Sequence, residues 1–140
     1  MNIAILISNL FKLPPLADEV IDGFSGAPEN ISWQITEELV RRGHNVSLFA
    51  SGDSHTKAKL YSVSKYASAL DKNIGLGKHV DYEYFLINKL LTESKKQKFD
   101  IIHSHIPERI GIFSKHFGSP VVSTLHSPLS ANNQLLLNPE

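Results

Sequence analysis

The sequence predicts an α/β domain built around a doubly wound, mostly parallel sheet. Short apolar, β-branched runs alternate along the chain with longer segments of helical periodicity. The runs are continuously apolar, which is typical of parallel strands covered on both faces. The alternation β-α-β-β-α-β-α-β predicts the strand order 3-2-1-4-5, in which the order reverses between the first and fourth strands. We therefore expect a ligand crevice between those two strands.

The first half of the chain contains three predicted strands and one predicted helix. Residues 2–8 form an apolar strand, and residues 9–27 form an irregular segment whose length is unusual unless a loop has a function. Residues 28–42 have helical periodicity. Residues 44–50 and 59–63 are the second and third strands. This half therefore supplies the β-α-β-β part of the alternation.

The first predicted helix has sequence signals at both ends. Pro28 suits the first helical turn, and Gly43 suits the stop. Ile31, Ile35 and Leu39 recur at helical spacing. Trp33 and Val40 lie on the opposite side of the helix, so we expect it to be covered on both sides.

The second half of the chain contains two helices and two strands. Residues 66–77 have no clear pattern, and residues 81–98 form a helix with a wide apolar stripe. Residues 99–105 and 120–126 are short apolar strands, each of which ends in histidine. Residues 107–116 form the helix between them, so the two strands should be parallel neighbours.

Three histidines are expected to gather at one edge of the sheet. His103 and His105 are two positions apart and point the same way in a strand, and His126 ends the neighbouring strand. Parallel strands have their carboxyl ends at one edge, where open α/β sheets bind ligands. Imidazole donates and accepts hydrogen bonds, which suits a sugar or a phosphate. Two other interpretations are solvated strand ends and a zinc site, and no acid or thiolate at ligand spacing supports the zinc site. The remaining histidines are expected away from the crevice: His44, His55, His79 and His116.

The entrance of the first helix is a second candidate site. The small residues Gly26 and Ala27 allow a ligand to approach the backbone, and the free N–H groups of a first helical turn suit a phosphate. Pro28 removes one donor and Glu29 adds a negative charge. An ordinary loop that enters a helix is therefore an equally good interpretation.

The glycine fingerprint of dinucleotide-binding folds is missing after the first strand. No G-x-G-x-x-G sequence opens a helix there. Asp53 follows the second strand, where such folds place an acid on a ribose hydroxyl. Without the fingerprint, we expect Asp53 to form a turn.

Composition narrows the function further. Lys and Arg together number 14, as do Asp and Glu, so no charge excess favours nucleic acid. The absence of cysteine excludes disulfides and thiolate metal sites. Residues 3–7 are too short for a signal peptide, and nothing approaches the roughly 20 apolar residues of a membrane span. We expect a cytoplasmic protein with one domain over residues 1–140.

Several segments, in the right order, resemble family 4 glycosyltransferases. Residues 37–54 resemble the first helix, second strand and following turn of that family. Residues 99–105 resemble its D-I-I-H-x-H segment, and residues 121–127 resemble its V-V-x-T-x-H-G segment. Residues 2–15 also fit, and residues 65–77 match weakly. The resemblance thus covers nearly the whole chain.

This resemblance implies one Rossmann-like half of a two-Rossmann-domain enzyme. Such enzymes move a sugar from a nucleotide sugar to an acceptor with retention at the anomeric carbon, usually without a metal. This half would mainly bind the acceptor, whose identity is unknown, and no cofactor is expected beyond the nucleotide-sugar co-substrate. A C-terminal donor-binding domain with an E-x7-E motif is absent from these 140 residues. We therefore expect a truncated domain or a split subunit, inactive until a missing domain or a partner chain completes it.

The resemblance also implies roles at the helix entrance. Gly26 and Ala27 match a family Gly-Gly pair close to the donor diphosphate, with alanine in place of the second glycine. Glu29 matches the family acid that follows. Residues 16–24 are longer and more acidic than the usual loop, which suggests a different acceptor.

For the histidines, the resemblance implies contact with substrate. His126 matches the family histidine near the transferred sugar, and Ser127 replaces the glycine after it. His105 matches the second histidine of D-I-I-H-x-H, and His103 matches the first. We expect His126 to act in catalysis by positioning, with the others in substrate binding.

Two other functions remain open at this point. One is a free-standing nucleotide-binding domain, for example of an oxidoreductase. The other is a non-catalytic interaction module, which an exposed apolar segment at residues 135–137 would favour.

Overall fold

The computed structural model of this protein describes residues 1–16, 20–21, 23–128 and 134. Its strands are, in chain order, β1 (Asn2–Leu6), β2 (Val20–Ile21), β3 (Phe24–Ser25), β4 (Asn45–Phe49), β5 (Lys59–Tyr61), β6 (Ile101–Ser104) and β7 (Val121–Ser123). Its α-helices are α1 (Ala27–Arg41), α2 (His79–Ser94) and α3 (Pro107–Ile110). Short 3-10 helices at Leu76–Lys78 and Gly111–His116 precede α2 and follow α3.

A five-stranded parallel sheet organises the domain. Its order is β5-β4-β1-β6-β7, and every neighbouring pair is parallel. Ile3 of β1 pairs with Val46 on one side and with Ile101 on the other. In order of the sheet strands this is 3-2-1-4-5, so the predicted doubly wound α/β topology is confirmed. The order reverses between β1 and β6, where the crevice was expected.

The sheet strands are shorter than the apolar runs that predicted them. β6 ends at Ser104, so His103 lies within the strand and His105 directly follows it. β7 ends at Ser123, and His126 lies beyond it. Backbone pairing stops where the chain turns away from the sheet, although His105 N still donates to Leu6 O over 2.8 Å. The carboxyl-edge location of the histidines is unchanged.

Other predicted boundaries also shift. The irregular segment contains the antiparallel pair β2 and β3. The helix predicted at residues 81–98 begins earlier and ends at Ser94, and the one predicted at residues 107–116 is α-helical only as far as Ile110. Residues 135–137 lie outside the described residues.

The buried face of α1 differs from the predicted one. Ile31 is 47% exposed, whereas Ser32 and Thr36 are fully buried. Their hydroxyls are satisfied within the helix, since Ser32 Oγ donates to Glu29 O and Thr36 Oγ1 donates to Ser32 O. Because small side chains face the sheet, the helix backbone lies close to it. Ile35 and Leu39 were correctly expected to pack against the core.

Two apolar clusters cover the two faces of the sheet. One contains Leu86, Ile87 and Leu90 of α2 together with inward residues of β1, β4 and β6. The other contains alternate residues of β1 and β4, with Trp33 and Ile35 of α1 packed against them. The sheet is therefore fixed from both sides, and its carboxyl edge is a rigid base for a site.

Candidate functional site

A cavity of about 230 Å³ opens at the carboxyl edge between β1 and β6. The segment after β1 forms one wall through Ile7, Ser8 and Leu10, and the corner after β6 forms the other through His105. The remaining lining comes from Ser25 of β3, from the loop after β7 and from the N-terminal parts of the helices: Pro28, Glu29, His79, Glu83, Pro107, Glu108, Arg109, His126 and Ser127. We call this space the charged cavity. It occupies the predicted crevice.

A pair of stacked histidines forms one side of the charged cavity. His105 Nδ1 lies 2.8 Å from His126 Nε2, and the two rings are stacked with centroids 5.1 Å apart. His105 is 4% exposed, and its Nε2 has no hydrogen-bond partner within the described part of the chain. This nitrogen is itself buried, although His105 lines the cavity.

The short contact links the tautomers of the two rings. If neutral His105 donates from Nδ1, its Nε2 is an acceptor and the Nδ1 of neutral His126 is a donor. If His126 donates from Nε2, both roles reverse. The two nitrogens that face away from the contact thus always differ in hydrogen-bonding character.

All three site histidines favour the neutral form. Burial lowers the pKa of His105 to about 3, with further lowering by His103 and His126. Burial also lowers the pKa of His103 and that of His126, although Glu108 acts in the opposite direction on His126. At neutral pH these rings are therefore hydrogen-bonding groups without charge.

A third histidine, His103, packs beside the pair. Its Nε2 lies 2.8 Å from Thr124 Oγ1, and its ring centroid is 4.5 Å from that of His105. His103 does not line the charged cavity. Its contacts are with His105 and Thr124, and its role in substrate binding stays a prediction.

A buried ion pair also lines the charged cavity. Arg109 Nε is 2.8 Å from Glu83 Oε2, and Arg109 Nη1 is 3.6 Å from Glu108 Oε2. Glu83 is 3% exposed, and burial raises its pKa against the opposing effects of a Ser8 hydrogen bond and the Arg109 charge. Glu29, also 3% exposed, adds a third carboxylate. The lining thus holds three carboxylates and one guanidinium.

A second cavity of about 370 Å³ lies beside the first, at the start of α1. Among the described residues its lining contains no Asp, Glu, Lys or Arg, so we call it the uncharged cavity: Gly23, Ser25, Ala27, Pro28, Ile31, His126 and Ser127. Four of these residues also line the charged cavity, His126 and Ser127 among them. His126 therefore stands at the boundary of two chemically different spaces.

Gly26 has a packing role at the start of α1. It is buried, and a Cβ built there would lie 2.6 Å from Pro15 Cβ. Gly26 is the N-cap of the helix, where no side chain forms a capping hydrogen bond. It lines neither of these two cavities. The absent Cβ lets the loop after β1 pack against the helix start that borders the uncharged cavity.

The structure brings most of the predicted site residues together. Ala27, Glu29, His105, His126 and Ser127 line one or both cavities, and Gly26 and His103 lie behind them. Sequence reasoning missed five polar lining residues: Ser8, His79, Glu83, Glu108 and Arg109. His79 in particular was expected to lie away from the crevice.

A topological signal could have found these residues. A helix that follows a parallel strand begins at the carboxyl edge of the sheet, so residues in its first turns lie near the crevice. Glu108 and Arg109 directly follow the first residue of α3, and His79 is the first residue of α2.

Asp53 stabilises a turn, as expected. Its Oδ1 accepts a hydrogen bond from Ala67 N over 3.1 Å, and it lines neither cavity. The neighbouring Gly52 N donates to Ser64 O. These contacts fix the loop after β4 against the segment after β5.

Metal-ligand clusters and membrane spans are both absent from the described ranges. Within them, no group of three or more His, Asp or Glu residues is arranged to hold a metal ion. None of the helices there has the length and apolar character needed to cross a membrane.

Comparison with known proteins identifies the family. The sequence profile of Glycosyltransferase Family 4 matches residues 29–139, which is most of the chain. No curated protein sequence is significantly similar to the chain. The chain therefore belongs to Glycosyltransferase Family 4, and a glycosyltransferase-related role follows from this membership.

Proposed function

We propose that this chain forms the acceptor-side half of the active site of a retaining glycosyltransferase that uses a nucleotide sugar. The observation that carries the proposal is the position of His126, which lines both cavities. A glycosyl transfer needs a donor site and an acceptor site that meet at the transferred sugar. In this proposal the uncharged cavity faces the donor, the charged cavity receives the acceptor, and His126 contacts the sugar between them.

The start of α1 suits the leaving diphosphate. The helix has 15 residues, and Ala27 and Glu29 lie in its first turn, where backbone N–H groups lack partners within the helix. The positive end of the helix dipole favours negative charge at this position. As the sugar–phosphate bond breaks, charge grows on the diphosphate, and fixed donors stabilise that charge without reorganisation.

The histidine pair would position the transferred sugar. His126 is the catalytic residue in this proposal because it contacts the sugar, and it acts by hydrogen bonding. His105 is a positioning residue, since its 2.8 Å contact orients the ring of His126 and couples the tautomers of the two rings. His103 holds His105 in turn. A second domain would supply the rest of the donor site and exclude water on closing.

The proposal is tested by titrating the isotopically labelled chain with UDP-glucose, GDP-mannose and NAD in parallel, while amide shifts are recorded. We expect small shifts confined to Ser25, Ala27, Ile31 and His126 with a nucleotide sugar, and no sugar transfer or hydrolysis at an enzymatic rate. His126→Ala should remove the response. His116→Ala is the matched control, because His116 is exposed and lines neither cavity.

Two results would contradict this function. One is saturable micromolar NAD binding with shifts at Ser8 and Asn9, which would indicate a dinucleotide-binding domain. The other is a nucleotide-sugar response that His126→Ala leaves intact.

A further inference from the structure

We propose that two copies of this chain associate through the outer face of α2, in a symmetric dimer whose two α2 helices run antiparallel. The outer face of α2 is the side turned away from the sheet, and it consists of Asp81, Phe85, Asn88, Lys89 and Thr92. The opposite side of the helix is buried against the sheet. The inference is independent of the proposed function, because these five residues lie outside the linings of both cavities.

An exposed aromatic side chain stands at the centre of the outer face. Phe85 is 52% exposed, and the ring of Tyr82 packs against it with centroids 5.4 Å apart. Tyr84 is 39% exposed and lies 6.2 Å from the ring of Phe113. Ile112, next to Phe113 in the chain, is 55% exposed. Apolar side chains that are exposed singly are ordinary, whereas a connected group of this kind marks an interaction surface.

The charges of the outer face are placed to meet a second copy of the same face. Asp81 precedes Phe85 by four positions and Lys89 follows it by four. The three side chains therefore form one row, in which each charge lies about 6 Å along the helix axis from Phe85. If two copies meet antiparallel around a two-fold axis at Phe85, Asp81 of each copy faces Lys89 of the other. This self-complementarity is what a two-fold interface requires.

The geometry of the row also suits helix packing. Rows of side chains four positions apart interdigitate in the commonest class of helix–helix contact. Within its own chain, Lys89 is held only loosely, since its Nζ is 3.8 Å from Glu93 Oε1 whereas Lys96 Nζ is 2.8 Å from the same oxygen. Lys89 can thus turn to Asp81 of a second copy while Glu93 keeps its nearer cation.

A lipid surface is the alternative occupant of an exposed aromatic face. An anionic membrane attracts clusters of Lys and Arg and repels acids. Here an acid and a base stand at equal distances on either side of Phe85, so Asp81 would lie against the headgroups. The balanced charges therefore favour a second copy of this chain.

Sedimentation equilibrium of the chain over two decades of concentration tests the dimer. We expect the mean mass to rise with concentration from that of one chain towards that of two. Phe85→Glu should weaken association at least about tenfold, because it brings two carboxylates together at the two-fold axis. Leu70→Glu is the matched control, since Leu70 is also 52% exposed and lies outside this face. It should associate like the wild type, and thermal unfolding checks that both variants are folded.

Two charge reversals test the antiparallel arrangement. Asp81→Lys leaves two bases in the row and Lys89→Asp leaves two acids, so each variant alone should associate about tenfold more weakly than the wild type. An equimolar mixture of the two variants should associate as tightly as the wild type, because both pairs then join opposite charges. A general loss of folding in either variant would not produce this recovery.

Three results in sedimentation would overturn the inference: a monomer at every concentration, a dimer that Phe85→Glu leaves intact, or a mixture of the charge reversals that fails to recover. Vesicles of phosphatidylcholine and phosphatidylserine provide a separate check. If the chain stays monomeric and binds these vesicles through Phe85, the occupant of the outer face is a membrane and the dimer is wrong.

Discussion

The charged and uncharged cavities share Ser25, Pro28, His126 and Ser127 but differ in their other lining residues. The charged cavity collects the N-terminal parts of three helices, each of which contributes an acid: Glu29, Glu83 and Glu108. The other described residues of the uncharged cavity are Gly23, which precedes β3, and Ala27 and Ile31 of α1. Acids near a helix N-terminus also complement the dipole. The three acids therefore stabilise their helices as well as charge the cavity, and substitutions separate the two effects.

The largest expected effect comes from the ion pair of the charged cavity. Arg109→Ala should lower the free energy of unfolding by about 3 kcal/mol, because it leaves the buried Glu83 carboxylate without its countercharge. Urea denaturation at neutral pH measures this loss. Adding Glu83→Gln should recover at least half of it. If the denaturation midpoint of Arg109→Ala is as close to the wild-type value as that of the exposed control Arg41→Ala, the Arg109–Glu83 ion pair does not stabilise the fold.

The second-largest expected effect on stability comes from packing at the start of α1, beside the uncharged cavity. Gly26→Ala should destabilise the chain by about 1–3 kcal/mol, because its Cβ would overlap the rigid ring of Pro15. Gly77→Ala is the matched control, since nothing lies within 4 Å of the Cβ built at that position. Thermal unfolding of the two variants measures the difference in their stability. Equal stability would mean that the helix start moves freely past Pro15.

His105 makes stability depend on pH. Its pKa falls from 6.5 to about 3 on folding, so the unfolded chain takes up the proton first. The contribution of neutral His105 is complete above pH 6.5 and is lost as the pH falls towards 3. Between pH 6 and pH 4 the wild type should lose about 1 kcal/mol per pH unit more than His105→Asn, which keeps a nitrogen near His126. Parallel slopes for the two proteins would contradict the buried neutral form.

The smallest expected effect comes from comparing two residues of α1: Ile31, which lines the uncharged cavity, and Ile35, which packs against the core. Ile31→Ala should change the free energy of unfolding by less than about 0.5 kcal/mol, because Ile31 is exposed. Ile35→Ala should cost about 1–2 kcal/mol, since Ile35 packs against the core. Chemical denaturation of both variants makes the comparison. If Ile31→Ala destabilised the chain more than Ile35→Ala, Ile31 would have to be buried, contrary to its exposed position.

Sequence reasoning predicted the topology well and the site in part. Continuous apolar strands and the spacing of His103, His105 and His126 predicted the parallel order and the edge at which the histidines meet, because both follow from rules about parallel sheets. The buried face of α1 was predicted wrongly at Ile31, since apolar periodicity does not reveal that Ser32 and Thr36 satisfy their own hydroxyls within the helix.

The charged side of the site could not be derived from local pattern. Glu83 lies within an amphipathic helix and is far from Arg109 in the chain, so only the packing of α2 against α3 brings the two together. The helix entrance was predicted from small residues, yet the role of Gly26 depends on Pro15, which is eleven positions earlier. Long-range pairs of this kind require the three-dimensional structure.

The most direct test of the account follows the imidazole ring of His126 by NMR while UDP-glucose is added. The account predicts that UDP-glucose shifts the His126 ring together with the amides of Ala27 and Ile31. If the His126 ring does not move, or if the shifts lie at other residues, the uncharged cavity is not the donor side of a site of sugar transfer.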